Sequence, residues 1–173
     1  MQRDILAGKR MLIVDDEADV IETIEEMFVE CIIDKARNFE AGKKLLEKNT
    51  YDIAILDIMG VKGYELLRIT KEKAIPALML TAHALSPDNL VRSIKEGAQS
   101  YVPKDKLPEI PSFVSDILEI HQKRAERSGR WFLKLRPFFD KHFGEGWREK
   151  DEQFWNDFDA RHIIGKKDLE DIM

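Results

Sequence analysis

The chain switches five times between a short β-rich apolar run and a longer stretch with helical spacing. Met11 to Val14 is a compact run that stops at Asp15-Asp16-Glu17. Val20, Ile24, Met27 and Cys31 then recur at helical spacing, with Glu22, Glu25, Glu26 and Glu30 mostly on the other faces. Ile32 to Arg37 is more polar, as an edge strand would be, and Phe39 to Lys48 is helical in pattern. Ile53 to Leu56 ends on Asp57, and Tyr64 to Lys71 follows as a helix. Ala77 to Leu80 ends at Thr81-Ala82, and Ser86-Pro87 opens a helix that runs towards Gly97, a Ser cap followed by Pro in the first turn. Tyr101-Val102 is a short strand. A last helix is expected from about Pro111 to Ser128-Gly129, with Lys123, Arg124 and Arg127 in its final turn. Five β-then-α units in succession predict an α/β fold, a parallel sheet with helices on both faces and right-handed crossovers.

The 173 residues suffice for one domain and an appendage. Composition shifts at Gly129: residues 128–173 hold nine of the fifteen aromatic residues. The expected division is a domain at 1–127 and an aromatic-rich helical extension at 128–173. A net charge of −5 argues against a general polyanion binder. The single cysteine, Cys31, excludes an internal disulfide and suits a reducing compartment. Apolar runs such as Ile75 to Leu80 fall far short of the ~18 residues of a membrane span. The N-terminus reaches Asp15 and Asp16 too soon for a signal peptide, so a cytoplasmic location is expected.

In an open parallel sheet, ligands bind at the carboxyl ends of the strands. Those ends carry Asp15 and Asp16, Asp57, Thr81 and Lys104. Singly, the acids read as helix caps, Thr81 as a turn hydroxyl and Lys104 as a solvated cation. Together, the four strand ends agree on one chemistry. Three carboxylates in one crevice repel one another, and Mg²⁺ suits such a site when a phosphate arrives. One carboxylate can then attack phosphorus, with the ammonium and the hydroxyl stabilising the transferred oxygens.

The strings MLIVDDE, AILDIMG, ALMLTAHA and SYVPKD, in this order and spacing, resemble the receiver domain of bacterial response regulators over roughly residues 9–125. The resemblance implies a doubly wound, flavodoxin-like sheet of five strands in the order 2-1-3-4-5. It implies Asp57 as phosphoacceptor, with Thr81 and Lys104 on the phosphoryl group. Mg²⁺ would be held by Asp16 and Asp57 directly, by the Met59 carbonyl, and by Asp15 through water. Tyr101 resembles the aromatic switch that follows Thr81. The implied function is a signalling phosphoacceptor of two-component phosphorelays, not an enzyme beyond self-phosphorylation and self-dephosphorylation. A sensor histidine kinase or phosphotransfer protein would donate, and a downstream protein would read the changed surface. Two departures stand out. Gly60-Val61-Lys62-Gly63 is shorter than the family's usual loop and has no Pro, and Asp105 follows Lys104 where Pro is frequent.

An Asp-nucleophile phosphatase or phosphotransferase would use the same acids, but no inserted segment offers a cap. A degenerate receiver would not need the intact acid pair, Asp57, Thr81 and Lys104. DNA binding by the extension is disfavoured. The candidate helix Trp147 to His162 sets Arg148, Lys150 and Arg161 against Glu149, Asp151, Glu152, Asp157 and Asp159, a net of −2. Its acidity also argues against a membrane surface. Trp131, Leu135, Phe138, Phe139 and His142 or Phe143 mark one apolar stripe, kinked or restarted at Pro137. Phe154, Trp155, Phe158 and Ile163 mark another, so a helical hairpin is expected. Its rings should be covered, by the domain or by a second copy in a homodimer. Gly42-Lys43-Lys44 and Gly165-Lys166-Lys167 lack the rest of a P-loop, and His83, His121, His142 and His162 show no metal-ligand spacing.

Overall fold

The computed structural model describes residues 5–123 and 129–161. Its strands are β1 (Arg10–Val14), β2 (Ile32–Ala36), β3 (Ile53–Asp57), β4 (Ala77–Thr81) and β5 (Ser100–Pro103). They form one sheet in the order β2-β1-β3-β4-β5, every neighbouring pair parallel. The helices are α1 (Ala18–Met27), α2 (Phe39–Lys48), α3 (Gly63–Glu72), α4 (Pro87–Lys95), α5 (Ile110–Gln122), α6 (Arg130–Phe143) and α7 (Glu152–Arg161). Among the described residues no helix is long and apolar enough to cross a membrane.

The sequence explains the layering. β3 and β4 are buried along their whole length, and both read as uninterrupted apolar runs because helices cover each face of a parallel sheet. β2 keeps Asp34 and Lys35 because it is an edge, with one side open to water. Asn38 caps α2 by accepting from the Ala41 amide at 2.8 Å, and Ser86 caps α4 by accepting from Asn89 at 3.1 Å. Each such cap contributes about 1 kcal/mol. Gly97, at φ +101°, follows α4 in the left-handed conformation that releases the chain into β5.

Three expectations change. α1 stops at Met27, so Cys31 lies beyond the helix, and Phe28 fills the apolar position instead, fully buried. α5 stops at Gln122 with Lys123 as its cap, leaving His121 as the basic residue of the last turn. The expected continuation through Arg124 and Arg127 to Ser128 lies outside the described residues. Of the two expectations for Pro137, a restart does not occur: α6 runs through it as one helix.

The hairpin forms as expected, although α7 begins at Glu152, with Trp147 and Arg148 in the turn before it. Ile163 lies outside the described residues. Phe132 stacks on Trp155 with ring centroids 4.9 Å apart, and Phe158 meets Phe132 edge-on at 5.3 Å. Trp131, Phe132, Leu135, Phe139, Trp155 and Phe158 are all buried, in one core with the sheet. At about 25 cal/mol per Å² of apolar surface removed from water, these rings are a main source of the extension's stability.

Candidate functional site

The register brings the strand ends together. Val14 lies opposite Leu56, so Asp15 and Asp57 come next along neighbouring strands, and Leu80 faces Asp57, which puts Thr81 one step beyond. Lys104 follows β5 at the start of a 3-10 turn, Lys104–Glu109. Asp15, Asp57 and Thr81 are all buried.

Lys104 is the hub of the crevice. Its side chain is 9 % exposed, and its Nζ lies 3.0 Å from Asp15 Oδ2, 2.7 Å from Glu17 Oε1 and 3.5 Å from Asp57 Oδ1. Burial alone would lower its pKa, but the bonds to Glu17 and Asp15 hold the ammonium above its ordinary value. Asp57 is pushed up to about 7, chiefly by burial and then by the neighbouring charge of Asp15, while Lys104 pulls the other way. Asp15 is also raised by burial, against the Glu17 amide, which donates to its Oδ1 at 2.9 Å. The N-cap of α1 is Glu17, with Asp15 accepting from its amide just ahead of the helix, whereas Asp57 is the last residue of β3 and the N-cap of α3 is Lys62.

The donor set fits a hard dication. Among the described residues, carboxylate oxygens of Asp15, Asp16 and Glu17 lie within 4.8 Å of one another. Asp15 Oδ2 is buried, with the Lys104 ammonium 3.0 Å away as its neighbour. Such a cluster of oxygens, partly open to water, is what Mg²⁺ takes. The shortened loop after Asp57 closes tightly against these acids. Gly60, at φ +84°, lies so close to Asp16 that a Cβ there would overlap its carboxylate. A Cβ on Gly63 would overlap the Asp57 carbonyl oxygen and come within 2.7 Å of Ile58 Cα. Lys62 takes a left-handed φ of 52° to make the turn without a proline. Met59 leaves its side chain on the rim, 53 % exposed. No described peptide bond is cis, so the Lys104-Asp105 junction is trans.

Thr81, the last residue of β4, and Tyr101, in β5, both bond the loop between β4 and α4. Thr81 Oγ1 accepts from the Ala84 amide at 3.1 Å. The Tyr101 hydroxyl donates to the Ala84 carbonyl at 2.9 Å and accepts from the Ser86 amide at 3.1 Å, with the ring fully buried. Two participants were not singled out from the sequence. Glu17 reads there as an ordinary first-turn acid, and only its contact with Lys104, 87 positions away, shows otherwise. Arg37, which donates to the Asp16 carbonyl at 3.1 Å, reads as the polar end of a strand.

Comparison with known proteins agrees with this geometry. The family described as the response regulator receiver domain matches residues 11–114. The phosphate regulon transcriptional regulatory protein PhoB of Pseudomonas aeruginosa is 34 % identical over 60 % of this chain and 48 % of its own length. The transcriptional regulatory protein ResD of Bacillus subtilis is 40 % identical over 57 % of this chain and 43 % of its own. The chain thus spans less than half the length of these curated relatives. A CheY-like receiver domain protein from Methanospirillum hungatei JF-1 superposes with a TM-score of 0.63 at 25 % identity, covering 69 % of this chain and all of that one. The chain belongs to the response regulator receiver domain family, the phosphoacceptor modules of two-component signalling.

Proposed function

We propose that this receiver accepts a phosphoryl group on Asp57 from a sensor histidine kinase or a phosphotransfer protein, and thereby switches a protein-binding surface. The observation that carries the reading is the convergence of Asp15, Asp57 and Glu17 on the Lys104 ammonium at the carboxyl edge of the sheet. An Asp57 carboxylate oxygen attacks the phosphorus of a phosphohistidine. The new P–O bond forms as the P–N bond breaks, and the imidazole nitrogen keeps the electron pair and takes a proton from water. Lys104 then turns from its carboxylates to a phosphoryl oxygen, and the Thr81 hydroxyl donates to another. Asp15, Asp16, Asp57 and the Met59 carbonyl are the groups that would hold Mg²⁺. When bound, the ion supplies positive charge against the phosphoryl oxygens.

In the same reading, residues 1–127 are the receiver and 128–173 an appended helical element that does not bind DNA. Two of the cations in and beside its second helix are engaged. Arg148 pairs with Asp159 at 2.8 Å and lies 4.6 Å over the Trp155 ring, and Lys150 reaches Asp88 at 3.2 Å. The free Cys31 thiol accords with a cytoplasmic setting. The test is phosphotransfer from a phosphorylated histidine kinase to the whole chain, with Mg²⁺ or with a chelator. Transfer should need the metal and disappear in Asp57→Asn. Equal transfer to that variant would overturn the assignment.

A further inference from the structure

The hairpin of α6 and α7 is seated on the face built by α4, β5 and α5. Lys134 of α6 bonds Asp116 Oδ2 at 2.9 Å and Ser112 Oγ at 3.1 Å on α5. From the turn before α7, Lys150 pairs with Asp88 on α4, while Lys95 of α4 lies 5.5 Å over the Phe154 ring. At the centre, Phe139 packs on Tyr101 with ring centroids 6.0 Å apart, and both residues are 0 % exposed.

This placement decides which state of Tyr101 the hairpin accepts. The ring points inward, its hydroxyl tied to Ala84 and Ser86 on the loop that follows Thr81. Phe139 lies against that ring from the hairpin side. The hairpin in this position packs on the inward tyrosine. A phosphoryl group on Asp57 would draw the Thr81 hydroxyl away from the Ala84 amide, on the loop that the inward Tyr101 hydroxyl already holds.

We infer that the hairpin is the receiver's own intramolecular partner, and that its Phe139 is a positioning residue which favours phosphoryl binding by holding Tyr101 inward. The inference rests on the phosphoacceptor reading of Asp57. Because both ligands of this two-state element select the same tyrosine position, each strengthens the other, and the coupling is reciprocal. Without the Phe139 ring, Tyr101 populates outward positions, and the phosphoryl-competent fraction falls with them.

The experiment uses the full chain with Mg²⁺ and beryllium trifluoride as the phosphoryl mimic. Phe139→Ala is expected to weaken mimic binding by about 5-fold or more, the lower end of ordinary allosteric couplings. Phe139→Leu, which restores most of the blocking volume, should recover most of it. Circular dichroism of both variants verifies that they fold. In the wild-type chain the mimic should slow amide exchange across residues 130–143, an effect that a purely structural ring would not produce. No mimic binding by the wild-type chain overturns both this inference and the phosphoacceptor reading. Binding that is equal in Phe139→Ala, or exchange in α6 that is unchanged or faster with the mimic, overturns the inference alone.

Discussion

Glu17, not Asp57, holds the shortest contact to Lys104: 2.7 Å against 3.5 Å. A phosphoryl oxygen that needs the ammonium must therefore displace a carboxylate on the rim. The Glu17 side chain is 44 % exposed, and a pair so open to water is worth roughly 0.2–1 kcal/mol. Glu17→Gln should accordingly speed labelling of Asp57 by a small acyl phosphate by up to about 5-fold. Stopped-flow fluorescence or a quenched time course would measure it. A slower reaction in the variant would show that Glu17 assists the chemistry and does not compete with it.

The buried acids make the resting site a place of stored repulsion. Asp57 is raised from 3.8 to about 7 by burial and by Asp15, so ionising it in the folded chain costs stability. Its folded value lies above its unfolded one. The contribution is therefore intact below pH 4 and is lost as pH rises towards 7. Asp57→Asn carries no such charge, so in a chelating buffer it should become increasingly more stable than wild type over that range. The gain near neutrality should be on the order of a few kcal/mol, since each pKa unit is about 1.4 kcal/mol and the net rise already includes the pull of Lys104. Urea melts at several pH values test this. A difference that does not grow with pH would contradict the account.

Cys31 gives an independent check on the opposite edge of the fold. Its thiol donates to the Leu6 carbonyl at 3.3 Å, and burial, followed by the charges of Glu30 and Asp52, pushes it up to about 11. At neutral pH it should alkylate roughly a hundredfold more slowly than an unperturbed thiol of equal access. The rate should rise with a midpoint near 11. A midpoint near 9, the ordinary value, would mean that the thiol is not held as described.

Much of the sheet was legible because β3 and β4 are apolar throughout and end on chemically distinctive residues, Asp57 and Thr81. An apolar run that stops at an acid marks both a strand and its carboxyl end, so the crevice followed from the order of the runs. What escaped depends on contacts distant in sequence. Nothing local distinguishes Glu17 from the other acids of the first helix until Lys104 is folded beside it. The stripe of Trp131, Leu135, Phe138 and Phe139 announced a covered face, but which surface covers it is decided by Tyr101 and the flanks of α4 and α5. Pro137 does not restart the helix because the hydrogen bonding that it costs is outweighed by buried rings on either side.

The most direct measurement of the central claim is the intact mass of the chain after incubation with a small acyl phosphate and Mg²⁺. One phosphoryl group should add about 80 Da, and peptide mapping after reductive trapping should place it on Asp57. The gain should vanish in Asp57→Asn and when the metal is chelated. An equal gain in Asp57→Asn, or a label mapped to another residue, would contradict the account.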